Sequence, residues 1–186
     1  MPSFNYDFPY PTKKLPGFAS NVVASSQHLA ATAGLRMMAR GGNAVDAAIA
    51  SAIAITVVEP TMNGIGADAF CILWDGQKLV GLNASGHSPA LMTPDQYKGQ
   101  EKMPHVGWGS VTTPGAVSLW MELHKRYGKL PFADLFEPGI KYASDGFRVS
   151  YMISRQWERA IDRLKGQESW VKAFLPGGRA PKPGEL

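Results

Sequence analysis

Backbone donors, more than reactive side chains, are the first chemistry this sequence suggests. Asn63-Gly64-Ile65-Gly66 follows Glu59-Pro60, and its two glycines permit backbone angles that other residues avoid. Such a loop brings main-chain N–H groups close to a ligand. Two readings stand for Asn63, Gly64 and Gly66: they shape a pocket around a reacting group, or they make a tight turn into a core strand. A phosphate loop is excluded, because no Gly-Lys-Ser/Thr follows. His87 lies in the polar run Asn83-Ala84-Ser85-Gly86-His87-Ser88-Pro89. It either lines a pocket or sits on a surface turn, and near neutral pH its imidazole is only partly charged. His28 serves a helix start. His105 and His124 lack metal-ligand spacing with any carboxylate or second histidine, so neither a metal site nor a cofactor is expected. The single cysteine, Cys71, sits in the apolar run 69–74 and reads as a buried structural thiol rather than a nucleophile. Asp68 either holds a loop or meets solvent.

The elements that must position these groups follow from capping and periodicity. Val22-Val23 centres a short β-like run over 21–24. Ser25 or Ser26 caps a helix of about fifteen residues. Gly41-Gly42 stops it and Asn43 caps the next helix, with Asp46 in the first turn at the positive end of the helix dipole. Alanines at 44, 47, 48, 50, 52 and 54 leave little bulk on that helix and let neighbouring backbones approach. Strands over 70–74 and 78–83 flank Asp75-Gly76, a hairpin signal. Thr93-Pro94-Asp95 opens a short helix, and 107–113 is loop or strand. Pro114-Gly115 starts a helix carrying Val117, Leu119, Trp120, Leu123 and Tyr127. The segment 132–144 gives one or two short helices around Pro138, and 150–165 and 168–174 are helical. Trp120, Trp157 and Trp170 are expected in the core or at a subunit interface. Residues 1–20, with prolines at 2, 9, 11 and 16, form an extended arm. Residues 21–186 form the remainder, and 176–186 ends without a closing element.

Composition narrows the classes. A hydrophobic content of 45% with 18% charged residues fits a globular protein that buries a core and excludes a disordered one. No apolar run approaches the ~18 residues of a membrane helix. The N-terminus has no apolar leader, so a cytoplasmic location is expected. The net charge of +4 comes from weak clusters interleaved with Glu158 and Asp162, a solvated helix face that argues against nucleic acid.

The run Gly41-Gly42-Asn43-Ala44-Val45-Asp46-Ala47-Ala48, followed by Val58-Glu59-Pro60 and the Asn-Gly-Ile-Gly loop, resembles the large-subunit start of gamma-glutamyltranspeptidases and their acylase-like relatives. Later stretches, 110–117, 129–138 and 142–147, match the same pattern. The resemblance covers roughly 21–186 and implies an α/β (α+β) fold: part of an N-terminal nucleophile hydrolase αββα sandwich, here a helix-rich fragment with a few strands. It implies a precursor that cuts itself into two subunits. The threonine opening the small subunit is then both nucleophile and, through its amine, base, with an oxyanion hole stabilising the tetrahedral intermediates. That threonine lies outside this chain, since the family places Thr112-Thr113-Pro114-Gly115 inside the large subunit. The implied partners are the small-subunit segment of the same precursor and a small-molecule amide substrate.

Transpeptidases that accept gamma-glutamyl compounds carry, in the segment aligned with 83–89, an arginine that clamps the substrate carboxylate in a bidentate grip. Counting back from Pro89, Ser85 stands at that position. In the oxamate-amidohydrolase-like branch, which the wording here favours, the arginine falls nearer His87. Asn83, Ser85 and His87 are therefore the implied substrate-binding residues, with no catalytic residue in this chain, and strict gamma-glutamyl specificity is not expected. A second function class stays open: a truncated, non-catalytic binding module of the same fold. The reading frame beyond Leu186 separates the two.

Overall fold

The computed structural model describes residues 17–186. The expected N-terminal arm therefore falls, for residues 1–16, outside the described residues; residues 17–20 are neither helix nor strand. Two helices open the fold, α1 (His28–Ala39) and α2 (Ala44–Val58). A hairpin follows, β1 (Ala69–Trp74) and β2 (Leu79–Ala84), then α3 (Ala116–Tyr127), α4 (Glu137–Asp145), α5 (Tyr151–Leu164) and α6 (Glu168–Phe174). Single 3-10 turns occupy Pro94–Tyr97, Trp108–Ser110 and Phe132–Phe136.

Helix α2 is the centre of the molecule because its composition lets it be buried on most sides. Ile49, Ala50 and Ile53 pack with Met37 of α1, with Leu119, Trp120 and Leu123 of α3, and with Leu135. Ala54 and Val58 meet Ala30 and Ala33 of α1, with Tyr142 and Phe147 against them. The contact between α1 and α2 is close enough to require a glycine. A Cβ on Gly34 would lie 2.4 Å from Ser51 Oγ and 2.8 Å from the Ala47 carbonyl oxygen.

The start of α2 is held by a reciprocal cap. Asn43 Oδ1 accepts the N–H groups of Val45 and Asp46, while Asp46 Oδ2 accepts the Asn43 N–H at 2.9 Å. Asp46 is fully buried and also accepts the N–H groups of Lys129 and Leu130, arriving from the end of α3. One carboxylate therefore satisfies donors from both helix ends and locks them together.

The hairpin forms where Asp75-Gly76 predicts it. Asp75 Oδ1 accepts the N–H groups of Gln77 and Lys78 at 2.9 Å each, and those bonds hold its carboxyl below the usual range. Opposed pairs are Cys71 with Leu82 and Leu73 with Val80 on one face, and Phe70 with Asn83, Ile72 with Gly81 and Trp74 with Leu79 on the other. Cys71, Leu73 and Leu82 lie against the α2–α3 core. Phe70, Ile72, Trp74 and Leu79 are each more than 60% exposed. One sheet face is thus covered and the other is open and apolar.

Two expectations are corrected. The run around Val22-Val23 is not a strand; Val23 instead approaches the small-residue surface at Gly34. Helix α1 is capped by Gln27, whose side chain accepts the Leu29 N–H, and it spans 12 residues rather than about fifteen. Ser25 Oγ only accepts the Gln27 N–H, and Ser26 is drawn away to Glu59. Residues 176–186 hold no helix or strand, as expected, yet they fold back on the chain. The N–H of Val149 donates to the Glu185 carbonyl at 2.9 Å, and that of Gly184 to the Val149 carbonyl at 2.8 Å, while Arg179 grips the Glu185 carboxylate with two nitrogens at 2.9 Å. Glycines and prolines conceal this hook from any periodicity argument.

Candidate functional site

The candidate segment 83–89 leaves the end of β2 and lies along the residues leading into α3. Asn83 Oδ1 accepts the Ser85 N–H at 2.9 Å, an Asx turn that ends the strand. The N–H of Thr113 donates to the His87 carbonyl at 3.1 Å, and Thr112 Oγ1 donates to the Ser85 carbonyl at 3.4 Å. The two backbones come together only because glycines stand at both contacts. Gly86 has φ +77°, and a Cβ there would sit 1.7 Å from the Thr113 carbonyl oxygen; one on Gly115 would sit 2.1 Å from that of Ala84. Among the described residues the Ser85 hydroxyl and the His87 imidazole make no hydrogen bond, and His87 is exposed. The backbone at both positions is thus fixed to the segment leading into α3, while neither side chain is tied down.

The glycine loop reaches the same place from the other side. The N–H groups of Gly115 and Ala116 both donate to the Ala67 carbonyl, at 3.0 and 2.9 Å. The start of α3 therefore joins the end of the 63–67 loop to the start of the 84–87 segment. The side chains do not converge further. Asn63, Gly64 and Gly66 line a cavity of about 930 Å³ with Tyr142, Trp157 and Phe174, and Asn83, Ser85 and His87 are not in its wall.

The expected use of Gly64 and Gly66 is also corrected. Neither has positive φ, and a Cβ at either would meet nothing within 4 Å. The reason lies in the turn itself: the N–H groups of Met62 and Asn63 bond back to the Glu59 carbonyl, and that of Ala67 to Gly64. The chain continues in helix-like turns that any residue could adopt.

Sequence reasoning missed Glu59. It is buried, accepts the Ser26 hydroxyl at 2.8 Å through Oε2, and takes Asn63 Nδ2 at 3.4 Å through Oε1. It ties the entry of α1 to the exit of α2 and to the first residue of the glycine loop. Its signal was present: an acid at a helix C-terminus opposes the dipole, so it requires local donors. Cys71 is half-buried on the covered face of the hairpin, and burial pushes its thiol up, away from nucleophilic character. His124 is occupied by the Leu130 carbonyl at 2.7 Å and a ring contact with Phe132. Asp68 is exposed. Trp120 is core, whereas Trp157 donates to the Phe174 carbonyl and Trp170 stacks on the Phe174 ring. Among the described residues no three His, Cys, Asp or Glu side chains are placed to hold a metal, and no helix is long and apolar enough to cross a membrane.

Comparison with known families places this arrangement. The family model described as Gamma-glutamyltranspeptidase matches residues 30–186. The chain belongs to the gamma-glutamyltranspeptidase family. It is 40% identical over 167 residues to the glutathione hydrolase-like YwrD proenzyme of Bacillus subtilis, covering 88% of this chain and 32% of that protein. It is 33% identical to the oxamate amidohydrolase proenzyme of Klebsiella pneumoniae, with the same coverage of both. A crystal structure of cephalosporin acylase from Bacillus halodurans superposes with a TM-score of 0.82 at 44% identity, covering 96% of this chain and 35% of that one. Helicobacter pylori gamma-glutamyltranspeptidase gives 0.85 at 26% identity, covering 93% of this chain and 52% of that one. The chain therefore spans about a third of the length of the curated relatives it matches. Its fold is an α+β part of the N-terminal nucleophile hydrolase architecture, and its relatives include glutathione hydrolases, acylases and proenzymes.

Proposed function

We propose that the whole protein is a self-processing amidohydrolase or acyltransferase whose nucleophile, an N-terminal threonine, lies outside this chain. The described residues supply the helical layer, one hairpin and a wall of the substrate pocket. The observation that carries this reading is the family match across residues 30–186; within the described residues no hydroxyl or thiol is paired with a base in a catalytic geometry. Thr112 Oγ1 donates to a backbone carbonyl; the hydroxyls that meet a carboxylate are Ser26, which ties helix ends together through Glu59, and Ser144, which bonds its exposed neighbour Asp145 at the end of α4. The partner is the small-subunit segment of the same precursor, and the exposed face of Phe70, Ile72, Trp74 and Leu79 is the surface it covers.

The substrate is an amide, and gamma-glutamyl donors are poor ones. Ser85 replaces the arginine that would clamp a carboxylate. Loss of a charge-assisted bidentate contact costs about 1.5–3 kcal/mol, or roughly one to two powers of ten in binding. His87, free and exposed, offers a partial substitute as a hydrogen-bond donor.

The test is expression of the full-length precursor, with mass spectrometry to detect self-cleavage and a donor series that includes glutathione. The expected result is two subunits, the smaller beginning with threonine, with glutathione turned over slowly and faster by Ser85→Arg. The 186-residue chain alone shows no turnover. Efficient wild-type glutathione cleavage, indifferent to Ser85→Arg and His87→Ala, places carboxylate recognition elsewhere.

A further inference from the structure

The segment Pro89–Thr113 leaves the candidate substrate segment and returns to it, bordering an open hollow of about 430 Å³ lined by Leu91, Met92, Tyr97, Trp108, Val111 and Thr113, among others. We propose that this hollow is a subsite for an uncharged aromatic group on the amide substrate. The inference rests on the reading that 83–89 lines the substrate pocket.

Three observations point to it. No charged side chain lines the hollow, so a carboxylate or ammonium group placed there would lose hydration without gaining a partner. Among the described residues Trp108 is 91% exposed and Leu91 86% exposed, and both line the hollow. An indole left open in this way offers a flat apolar face, with geometry suited to another ring. The hollow is also tied to the candidate segment: Thr112 and Thr113 belong to its wall and make the bonds to the Ser85 and His87 carbonyls. Its shape is braced by Tyr97, whose hydroxyl donates to the Gly109 carbonyl at 2.9 Å next to Trp108. A volume of this size lies at the small end of ligand pockets and admits a single substituted ring.

The consequence is a preference that a methyl or carboxymethyl group cannot satisfy. The hollow adjoins the backbone of Ser85 and His87 through Thr112 and Thr113, where the missing arginine leaves no demand for a carboxylate. Substrate choice then rests on apolar contact rather than ion pairing.

The experiment is titration of the processed full-length protein with phenylacetamide, beside propionamide, by isothermal calorimetry. Phenylacetamide is expected to bind, Trp108→Ala to weaken it about tenfold, and Trp108→Phe to keep it within about threefold, with propionamide indifferent to both changes. The unfolding midpoint of each variant is measured beside binding, and a fall for Trp108→Ala that accompanies the loss of binding shows that Trp108 packs against the rest of the protein and overturns the subsite. Absence of phenylacetamide binding in the wild type, or binding equal in wild type and Trp108→Ala, overturns the subsite. The underlying reading fails separately. If phenylacetamide depends on Trp108 while Ser85→Arg and His87→Ala leave every donor unchanged, the subsite stands and the role of the 83–89 segment falls.

Discussion

The helical region around α2 and the hairpin with its following loops, 69–113, treat apolar side chains in opposite ways. Around α2, Met37, Ile49, Ile53, Leu119, Trp120 and Leu135 are all buried, and the single buried carboxylate at the start of the helix has donors on every side. In the hairpin region, Phe70, Ile72, Trp74, Leu79, Leu91 and Trp108 face outward. Neighbouring elements complete the first region. The second presents one covered sheet face and one open one, with both outer edges of its two strands unpaired among the described residues. Open edges and apolar faces of this kind are features that proteins normally cover. The contrast teaches that burial within the described residues is concentrated in the helices and sparse in the hairpin and its loops. The alanine-rich helix and its caps hold the scaffold, and the proposed contacts with the small-subunit segment and the substrate fall on the hairpin and its loops.

The largest expected effect comes from breaking the finished region. Asp46→Ala leaves the N–H groups of Asn43, Lys129 and Leu130 without their acceptor, at a cost on the order of 3–5 kcal/mol. Asp46→Asn, which keeps one acceptor oxygen, loses less. Urea unfolding of the full-length protein measures both, and a loss below about 1 kcal/mol for Asp46→Ala would show that water replaces the carboxylate.

A smaller effect sharpens the contrast from the other side. Ile72→Ser and Trp74→Ser should change the stability of the 186-residue chain by no more than about 0.5 kcal/mol, as for other exposed positions. In the full-length precursor the same changes should each cost about 1.5–3 kcal/mol, because there the face is covered. Equal effects in the two proteins would mean that this face stays in solvent throughout, and the proposed small-subunit contact would have to move elsewhere.

The smallest effect concerns the C-terminal hook, which belongs to neither region. Arg179 first, then the Lys182 N–H, lowers the Glu185 carboxyl from its ordinary 4.5 to about 2. Because the folded-state value lies below the ordinary one, the hook gains support that is complete above pH 4.5 and is lost as pH falls toward 2. Both side chains meet solvent, so the consequence is local loosening rather than unfolding. Amide protection at Val149 and Gly184 should drop over that window, and Arg179→Ala should move the drop up toward pH 4.5. Protection that stays flat down to pH 2 would show that the backbone pair alone holds the hook.

Local patterns were legible where the interaction is local. Asn43 and Asp46 form the expected cap and first-turn contact because their partners lie within three residues. Asp75-Gly76 closes the expected hairpin, and the helix after Pro114-Gly115 begins where proline and glycine allow. The site was legible less well. Asn83, Ser85 and His87 were singled out by resemblance, and their backbone setting came only with the fold. The glycine loop illustrates the limit: Gly64 and Gly66 promised special backbone angles, yet the positive φ and the close approach belong to Gly86. Sequence pattern marks a glycine but does not say which one another chain segment will press against.

The sequence by itself determined the capped start of α2, the hairpin, the small-residue face of α2 and the family, because each depends on residue types at short, fixed spacing. Only the tertiary structure decided the rest. It brought the Lys129 N–H to Asp46 across 83 positions and laid Ser85 and His87 against Thr112 and Thr113. It turned Ser26 from a helix cap into a donor for Glu59, and it left Trp74 and Trp108 in solvent while burying Trp120. The physical reason is common to all four. Hydrogen bonds and burial between distant residues depend on where the chain returns, and that is set by how the helices pack, not by any pattern within one of them.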